Sequence, residues 1–439
     1  MTWLVTGGAG YIGSHIVRAL TSQGLSAVVL DDLSSGHKQF VPDGVPLVHA
    51  SILDTGSVRR ALLDHEVSGV VHVAAFKYAG VSVQRPLHTY TQNVSGTVSV
   101  LTAMAEANVD ALVFSSSAAV YGTPETEQVT EDTPTVPESP YGESKLIGEW
   151  LLADVGRSSE MAHTSLRYFN VVGSGDPQLP DTSPHNLFPL VLEALGEGRT
   201  PQINGVDYPT PDGTCVRDYI HVADLARAHV QAAKALAAGT PLEPVYNLGS
   251  GTGVSVRQIM DAMAEGTGID FEPLEAPRRP GDPARIVADG SLAARDLDWQ
   301  MRHSLLQMVT SAWQPQMVFR PLPGSRSPCW VSMPSTKVAE LAEVIKNVNS
   351  SRIATNESAV PNGISFMTTK NAVEVDCTAS SATSCTTEKL MPPKIANHTN
   401  ETIVGTNNTP ATNSRMVLPR EIRAMKTPVN GAHAIHQAQ

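Results

Sequence analysis

Strand-like apolar runs alternate with helically spaced stretches through the first half of this chain. The runs are Thr2-Trp3-Leu4-Val5-Thr6, Ala27-Val28-Val29-Leu30, Leu47-Val48-His49, Val70 to Ala75, Ala111 to Ser116 and Thr164 to Tyr168. Helical spacing fills 14–23, 55–65, 89–107 and 141–154. This alternation predicts an α/β fold of the Rossmann type, a doubly wound parallel sheet covered by helices on both faces. Ligands of such sheets sit beyond the carboxyl ends of the strands, so residues that follow a strand end are the first site candidates.

The first strand runs into Gly7-Gly8-Ala9-Gly10-Tyr11-Ile12-Gly13 and then a helix. Glycines let a backbone approach a pyrophosphate closely, and a helix amino terminus favours its charge. The second run ends in Asp31-Asp32. A carboxylate there accepts hydrogen bonds from a ribose 2′-hydroxyl and repels a 2′-phosphate, which predicts NAD rather than NADP. A glycine triplet alone is weak evidence; strand, turn, helix and acid in this order are much stronger.

A second constellation joins Ser117 to Tyr141 and Lys145 in Tyr141-Gly142-Glu143-Ser144-Lys145. Residues four apart share a helix face. A free phenol has a pKa of about 10 and is a poor base at neutral pH. An ammonium beside it is expected to favour phenolate and lower that pKa. Ser117 follows a strand end and offers a hydroxyl to a reacting oxygen. Together the three can take a proton from an alcohol, with NAD as hydride acceptor.

These segments resemble the extended short-chain dehydrogenase/reductase superfamily, and within it the UDP-glucose 4-epimerase (UDP-galactose 4-epimerase) family. The matching stretches are GGAGYIGSH at 7–15, SSSAAVYG at 115–122, SPYGESK at 139–145, RYFN at 167–170, DYPTPDGTCVRDYIHVADLA at 207–226, YNLGSG at 246–251 and RRPGD at 278–282. The resemblance covers roughly residues 1–314. It implies an NAD-binding domain over 1–170, completed by about 221–250, and a smaller, mainly substrate-binding mixed α/β lobe over 171–314. It implies C4 epimerisation of a nucleotide sugar, most simply UDP-glucose and UDP-galactose, through a 4-keto intermediate. Tyr141 would move the proton, with Ser117 and Lys145 beside it.

The resemblance also implies cofactor contacts at Gly7, Gly10, Tyr11, Ile12, Gly13, Asp31, Asp32, Ser51, Ile52, Ala74, Ala75, Lys77, Asn93, Tyr141, Lys145 and Phe169. Substrate contacts are implied at Lys77, Ser117, Asn170, Asn186, Leu187, Arg217, Arg279 and Asp282, the arginines as guanidinium clamps on a diphosphate. A homodimer through the helices at 89–107 and 141–154 is implied as well. Two positions depart from the pattern. Ser51 stands where the family usually has an acid near the adenine, and Asn204 where it has an aromatic residue near the sugar-nucleotide base, so stacking there is lost.

Sugar-nucleotide 4,6-dehydratases, decarboxylases and reductases of the same superfamily are the rival readings. A dehydratase needs an acid and a base beside the serine-type residue; here Ala118 and Ala119 occupy those places, and methyl groups shuttle no protons. A non-catalytic NAD-binding regulator on the same fold has no need of Ser117, Tyr141 and Lys145 in register.

Composition narrows the partners. The formal charge of −12 over 439 residues argues against nucleic acid and anionic membrane surfaces. Cys215, Cys329, Cys377 and Cys385 are too scattered for a disulfide framework or a zinc site, so no metal is expected. No apolar stretch is long enough to span a membrane, and a strand that begins at residue 2 leaves no room for a signal peptide. A cytoplasmic enzyme is expected. From Pro315 onward the chain changes to Ser, Thr, Asn and Pro, with 12 Lys and Arg against 8 Asp and Glu. That tail, 315–439, is expected to be disordered apart from a short helix at 338–348.

Overall fold

The computed structural model describes residues 1–126, 128–279 and 283–319, with two further strands, Ile364–Thr369 and Ala372–Cys377. One parallel sheet contains β1 (Thr2–Thr6), β2 (Ser26–Asp31), β3 (Leu47–His49), β4 (Val67–His72), β5 (Ala111–Ser115), β6 (Ala162–Tyr168) and β7 (Val245–Leu248). Their spatial order is β7-β6-β5-β4-β1-β2-β3. The winding direction therefore reverses between β1 and β4, which opens a crevice at their carboxyl ends. The expected Rossmann-type architecture is the one observed.

Helices α1 (Tyr11–Ser22), α2 (Thr55–Asp64), α3 (Ala79–Gln84), α4 (Pro86–Tyr90), α5 (Gly96–Ala107), α6 (Pro140–Ser159), α7 (Leu187–Gly196), α8 (Val222–Ala237), α9 (Val256–Thr267), α10 (Ser291–Leu297) and α11 (Leu305–Phe319) surround the sheet or build the smaller lobe. The two-residue period of β1 sorts its side chains between the covering layers. Trp3 and Val5 pack in one core with Ile16 and Leu20 of α1 and Leu225 and Val230 of α8. Leu4 packs in the other with Val58 and Leu62 of α2 and Val100 and Met104 of α5. Each fully buried side chain of this size contributes about 1.5–3 kcal/mol. The smaller lobe has its own core, with Phe188 and Leu192 of α7, Ile259 and Met263 of α9, and Val309 and Trp313 of α11. No helix among the described residues is long and apolar enough to cross a membrane.

Three element boundaries differ from the sequence reading. The first helix begins at Tyr11 rather than residue 14, because Gly10 serves as its cap. The single helix expected over 89–107 is broken into α4, a π-helical turn at Thr91–Ser95 and α5. The helix carrying Tyr141 runs to Ser159, five residues further than expected, and ends where Glu160 adopts φ +58°.

Beyond Phe319 the described part of the tail is the pair Ile364–Thr369 and Ala372–Cys377, antiparallel from Thr369↔Ala372 to Ile364↔Cys377. Two residues separate them, the commonest hairpin spacing. The rest of 315–439, with the helix expected at 338–348, lies outside the described residues, as do Glu127, Pro280, Gly281 and Asp282.

Candidate active site

A cavity of about 850 Å³ opens over the carboxyl ends of the strands and extends into the smaller lobe. At its sheet end, Gly7 adopts φ +69°, and a Cβ there would lie 2.8 Å from the Ala74 nitrogen. A Cβ on Gly13 would lie 2.1 Å from the Gly7 carbonyl oxygen. Only glycine fits at either place, and the result is that α1 begins hard against the strand end. Gly10 caps α1 without a side chain, and no acidic residue lies in its first turn. The amide donors of that turn face the cavity with nothing of the helix's own to satisfy them.

Gly7, Gly10, Tyr11, Ile12, Gly13, Asp31 and Asp32 all line this end. The Asp31 carboxylate accepts from the Ala9 amide at 3.0 Å and the Leu33 amide at 2.8 Å. Burial pushes its carboxyl up, and the two amides pull it back. A carboxylate has about four acceptor sites, so two remain for a ribose. Ser34, Ser35 and Gly36 continue the wall and escaped the sequence reading; the signal was a small polar turn directly after the acid pair. A glycine cradle, unclaimed amides and a buried acid in a cavity of this size fit NAD.

Ile52, Ala74, Ala75, Lys77 and Phe169 also line the cavity. Two expected cofactor residues do not. Ser51 turns its hydroxyl to its own loop, where it accepts from the Leu53 amide at 3.2 Å. Asn93 is buried behind the wall in the π-helical turn. Its amide accepts from Phe76 N at 2.7 Å and donates to Phe76 O at 3.0 Å and Ser144 Oγ at 2.8 Å. It braces the loop after β4 against α6. It sits within the π-helical turn that interrupts the expected helix.

Ser117, Tyr141 and Lys145 meet on one wall. Ser139 caps α6 by accepting from the Gly142 amide, which sets Tyr141 in the first turn and Lys145 one turn on. Ser117 caps the short 3-10 helix Ala118–Tyr121 by accepting from the Ala119 amide at 3.2 Å, and its hydroxyl stands close enough to the Tyr141 phenol to pull its pKa down. The Lys145 ammonium is 5.9 Å from the centre of the Tyr141 ring and donates to Ser115 O at 2.8 Å.

The expected lowering of the phenol pKa is reversed. Burial pushes Tyr141 up, and the Ser117 hydroxyl offsets only part of it. Burial also lowers Lys145 to about 7, against the opposing pull of Glu149. Desolvation of both groups outweighs the attraction that helical spacing suggested.

At the lobe end, Asn170, Asn186, Leu187, Arg217 and Arg279 line the cavity. Asn170 has one amide proton committed to Asp218 O at 2.9 Å. Asn186 caps α7 and donates to Asp181 Oδ2 at 3.1 Å. With its amide oxygen facing Arg279, Asn204 accepts from Nη2 at 3.1 Å and Nε at 3.3 Å. The place expected to lack an aromatic ring is thus a polar contact to a guanidinium. Lys77 and these arginines give the middle of the cavity a cationic wall, suited to phosphate oxygens. The sequence reading missed the edge-to-face pair of Tyr78 and His185, with ring centres 4.9 Å apart. It joins α3's cap to the loop before α7, a long-range contact with no local signature. Asp282 lies outside the described residues.

Residues 3–249 match the model of the NAD dependent epimerase/dehydratase family. A UDP-glucose 4-epimerase from Azospirillum brasilense is 44% identical over 312 residues, 70% of this chain and 89% of the relative. One from Lactobacillus helveticus is 42% identical over 323 residues, 72% of this chain and 96% of the relative. The crystal structure of UDP-glucose-4-epimerase from Stenotrophomonas maltophila, with bound NAD and formylated UDP-arabinopyranose, superposes with a TM-score of 0.69. It is 39% identical and covers 73% of this chain and 98% of its own.

Proposed function

The chain belongs to the NAD dependent epimerase/dehydratase family, and on that premise we propose that its site interconverts UDP-glucose and UDP-galactose at C4. The carrying observation is the meeting of Ser117, Tyr141 and Lys145 on one wall of a cavity that reaches from a glycine cradle to a cationic lobe. NAD, when bound, supplies a hydride acceptor and a positively charged ring that favours a neighbouring phenolate.

The chain's own residues do the rest. The amides of α1 and the Asp31 carboxylate would hold the cofactor, with 1–170 and 221–250 as its domain. Lys77, Arg217 and Arg279 would hold the sugar-nucleotide diphosphate against the 171–314 lobe, helped by Asn170, Asn186 and Leu187. Tyr141 Oη takes the proton of the sugar 4-hydroxyl and returns it after the 4-ketose has turned over in the cavity. Ser117 Oγ hydrogen-bonds the reacting oxygens, and Lys145 holds a positive charge beside them. Ala118 and Ala119 line the cavity next to Ser117 and offer no acid or base for an elimination.

Leu87 on α4, Val98 on α5 and Trp150 on α6 are exposed. Apolar residues standing out on these helices support a homodimer through them. Four cysteines too scattered for a disulfide framework support a reducing cytoplasmic setting. The test is incubation of the purified protein with UDP-galactose, UDP-N-acetylgalactosamine and dTDP-galactose, with the epimers separated and bound NAD quantified. UDP-glucose formation with NAD retained is expected. Consumption of substrate with net NADH release, or a 4-keto-6-deoxy product, would refute the reading.

A further inference from the structure

Glu149 lies one turn beyond Lys145 on α6, and Arg167 faces it from β6; both side chains are only 6% exposed. Arg167 donates twice to the one carboxylate, from Nε to Oε1 at 2.9 Å and from Nη2 to Oε2 at 2.6 Å. Its Nη1 donates to Tyr121 Oη at 2.9 Å, and that hydroxyl donates to Asn247 Oδ1 at 2.7 Å. The Ser116 hydroxyl donates to Glu149 Oε1 at 2.5 Å. A buried pair of this kind adds little net stability over apolar residues of the same volume, because desolvation offsets its attraction. Stability is therefore a poor account of why it is here.

Its place in the fold offers a better one. The segment Ser115-Ser116-Ser117 is strapped to α6 at two successive residues. Lys145 Nζ holds Ser115 O at 2.8 Å, and Glu149 holds the Ser116 hydroxyl. Ser117 comes next in the chain and stands close enough to the phenol at the start of the same helix to pull its pKa down. The straps therefore set Ser117 against Tyr141, a geometry to which proton transfer is steeply sensitive.

We propose that the Glu149–Arg167 pair is a positioning device for the reaction, which fixes the Ser117 hydroxyl on Tyr141 and gives Lys145 its counter-charge. The inference rests on the epimerase reading above. Lys145 is faced by Tyr141 and Glu149 on its own helix and by His72 on β4, with Arg167 behind Glu149; Tyr168 on β6 faces Tyr141. His72 is pushed down to about 3 by burial and the Lys145 charge, so it is neutral in the working range. Tyr168 is pushed up by burial and is neutral as well. Glu149 is thus the anion that favours the Lys145 ammonium.

The test compares full-length, NAD-loaded wild type with Ser116→Ala, Glu149→Gln and the double variant Glu149→Leu/Arg167→Met. For each, kcat, KM for UDP-galactose, the pH profile of kcat and the melting temperature are measured. Ser116→Ala is expected to lower kcat about tenfold with KM little changed and the pH limbs in place. In Glu149→Gln the limb on which activity falls with rising pH should move down by about one unit, because the ammonium has lost its counter-charge. The double variant should show both effects at near wild-type melting temperature; if Glu149→Gln does not fold, it and Ser116→Ala decide. Variants that lose only melting temperature, with kcat and the pH limbs unmoved, would overturn the positioning role. A wild type that does not epimerise would instead refute the reaction itself.

Discussion

Replacement of Lys145 by methionine should stabilise the folded chain at low pH while abolishing turnover. Lys145 is 3% exposed. Burial lowers it from 10.5 to about 7. At 1.36 kcal/mol per pH unit, that fall corresponds to a folding cost of about 5 kcal/mol. Below pH 7 both folded and unfolded chains carry the ammonium, and the full cost applies. Between pH 7 and 10.5 the folded chain is neutral while the unfolded chain is still protonated, so the cost shrinks as pH rises. Above 10.5 both are neutral and it vanishes. Methionine carries no charge to bury, but it forfeits the bond to Ser115 O, a loss of about 1 kcal/mol for a neutral donor. The variant should therefore be more stable than wild type by about 4 kcal/mol at pH 6 and less stable by about 1 kcal/mol near pH 10.5. Urea unfolding of both proteins, stripped of cofactor and followed by tryptophan fluorescence at pH 6, 8 and 10, measures the difference. A gap that is constant with pH, or that grows as pH rises, would refute the argument.

Tyr141→Phe keeps the ring and loses the proton carrier, so NAD content should persist while kcat for UDP-galactose falls by about 10²–10⁴. Gly13→Ala places a methyl 2.1 Å from the Gly7 carbonyl oxygen; it should cost about 1–3 kcal/mol in unfolding free energy and deplete bound NAD, measured on the purified variant. Stripped protein should regain activity with NAD and, because Asp31 repels a 2′-phosphate, at least about tenfold less well with NADP at equal concentration; equal reactivation counts against Asp31. A chain ending at Phe319 should epimerise at close to the full-length rate, since the relatives match about 70% of this chain and nearly all of their own length.

The parts of the site that were legible in the sequence are those encoded within one element or one turn. Tyr141 and Lys145 share a helix face because they are four apart, and Gly7 to Gly13 announces its turn without help from the rest of the fold. The parts that were not legible depend on distant partners. Asn93 finds Phe76 and Ser144 across the chain, and its inward rotation cannot be read from a helical stretch that looks continuous. Ser51 sits between two cavity residues yet bonds within its own loop. The Tyr141 pKa was misjudged because spacing reports proximity and says nothing of burial, and here burial dominates. Glu149 and Arg167 are 18 positions apart on a helix and a strand, and neither carries a mark of the other.

The π-helical turn at Thr91–Ser95 has a consequence for how this gene can change. A π turn holds one residue more than an α turn in the same span. Deleting one residue here would let α4 and α5 join in a regular helix with their faces kept, because the wide turn already absorbs the extra residue within one turn. Val100 and Met104 would stay against Leu4, Val58 and Leu62. What would be lost is the inward set of Asn93, the brace between Phe76 and Ser144. Descendants shortened here by one residue are therefore expected to keep the helix and its core and to loosen the loop after β4.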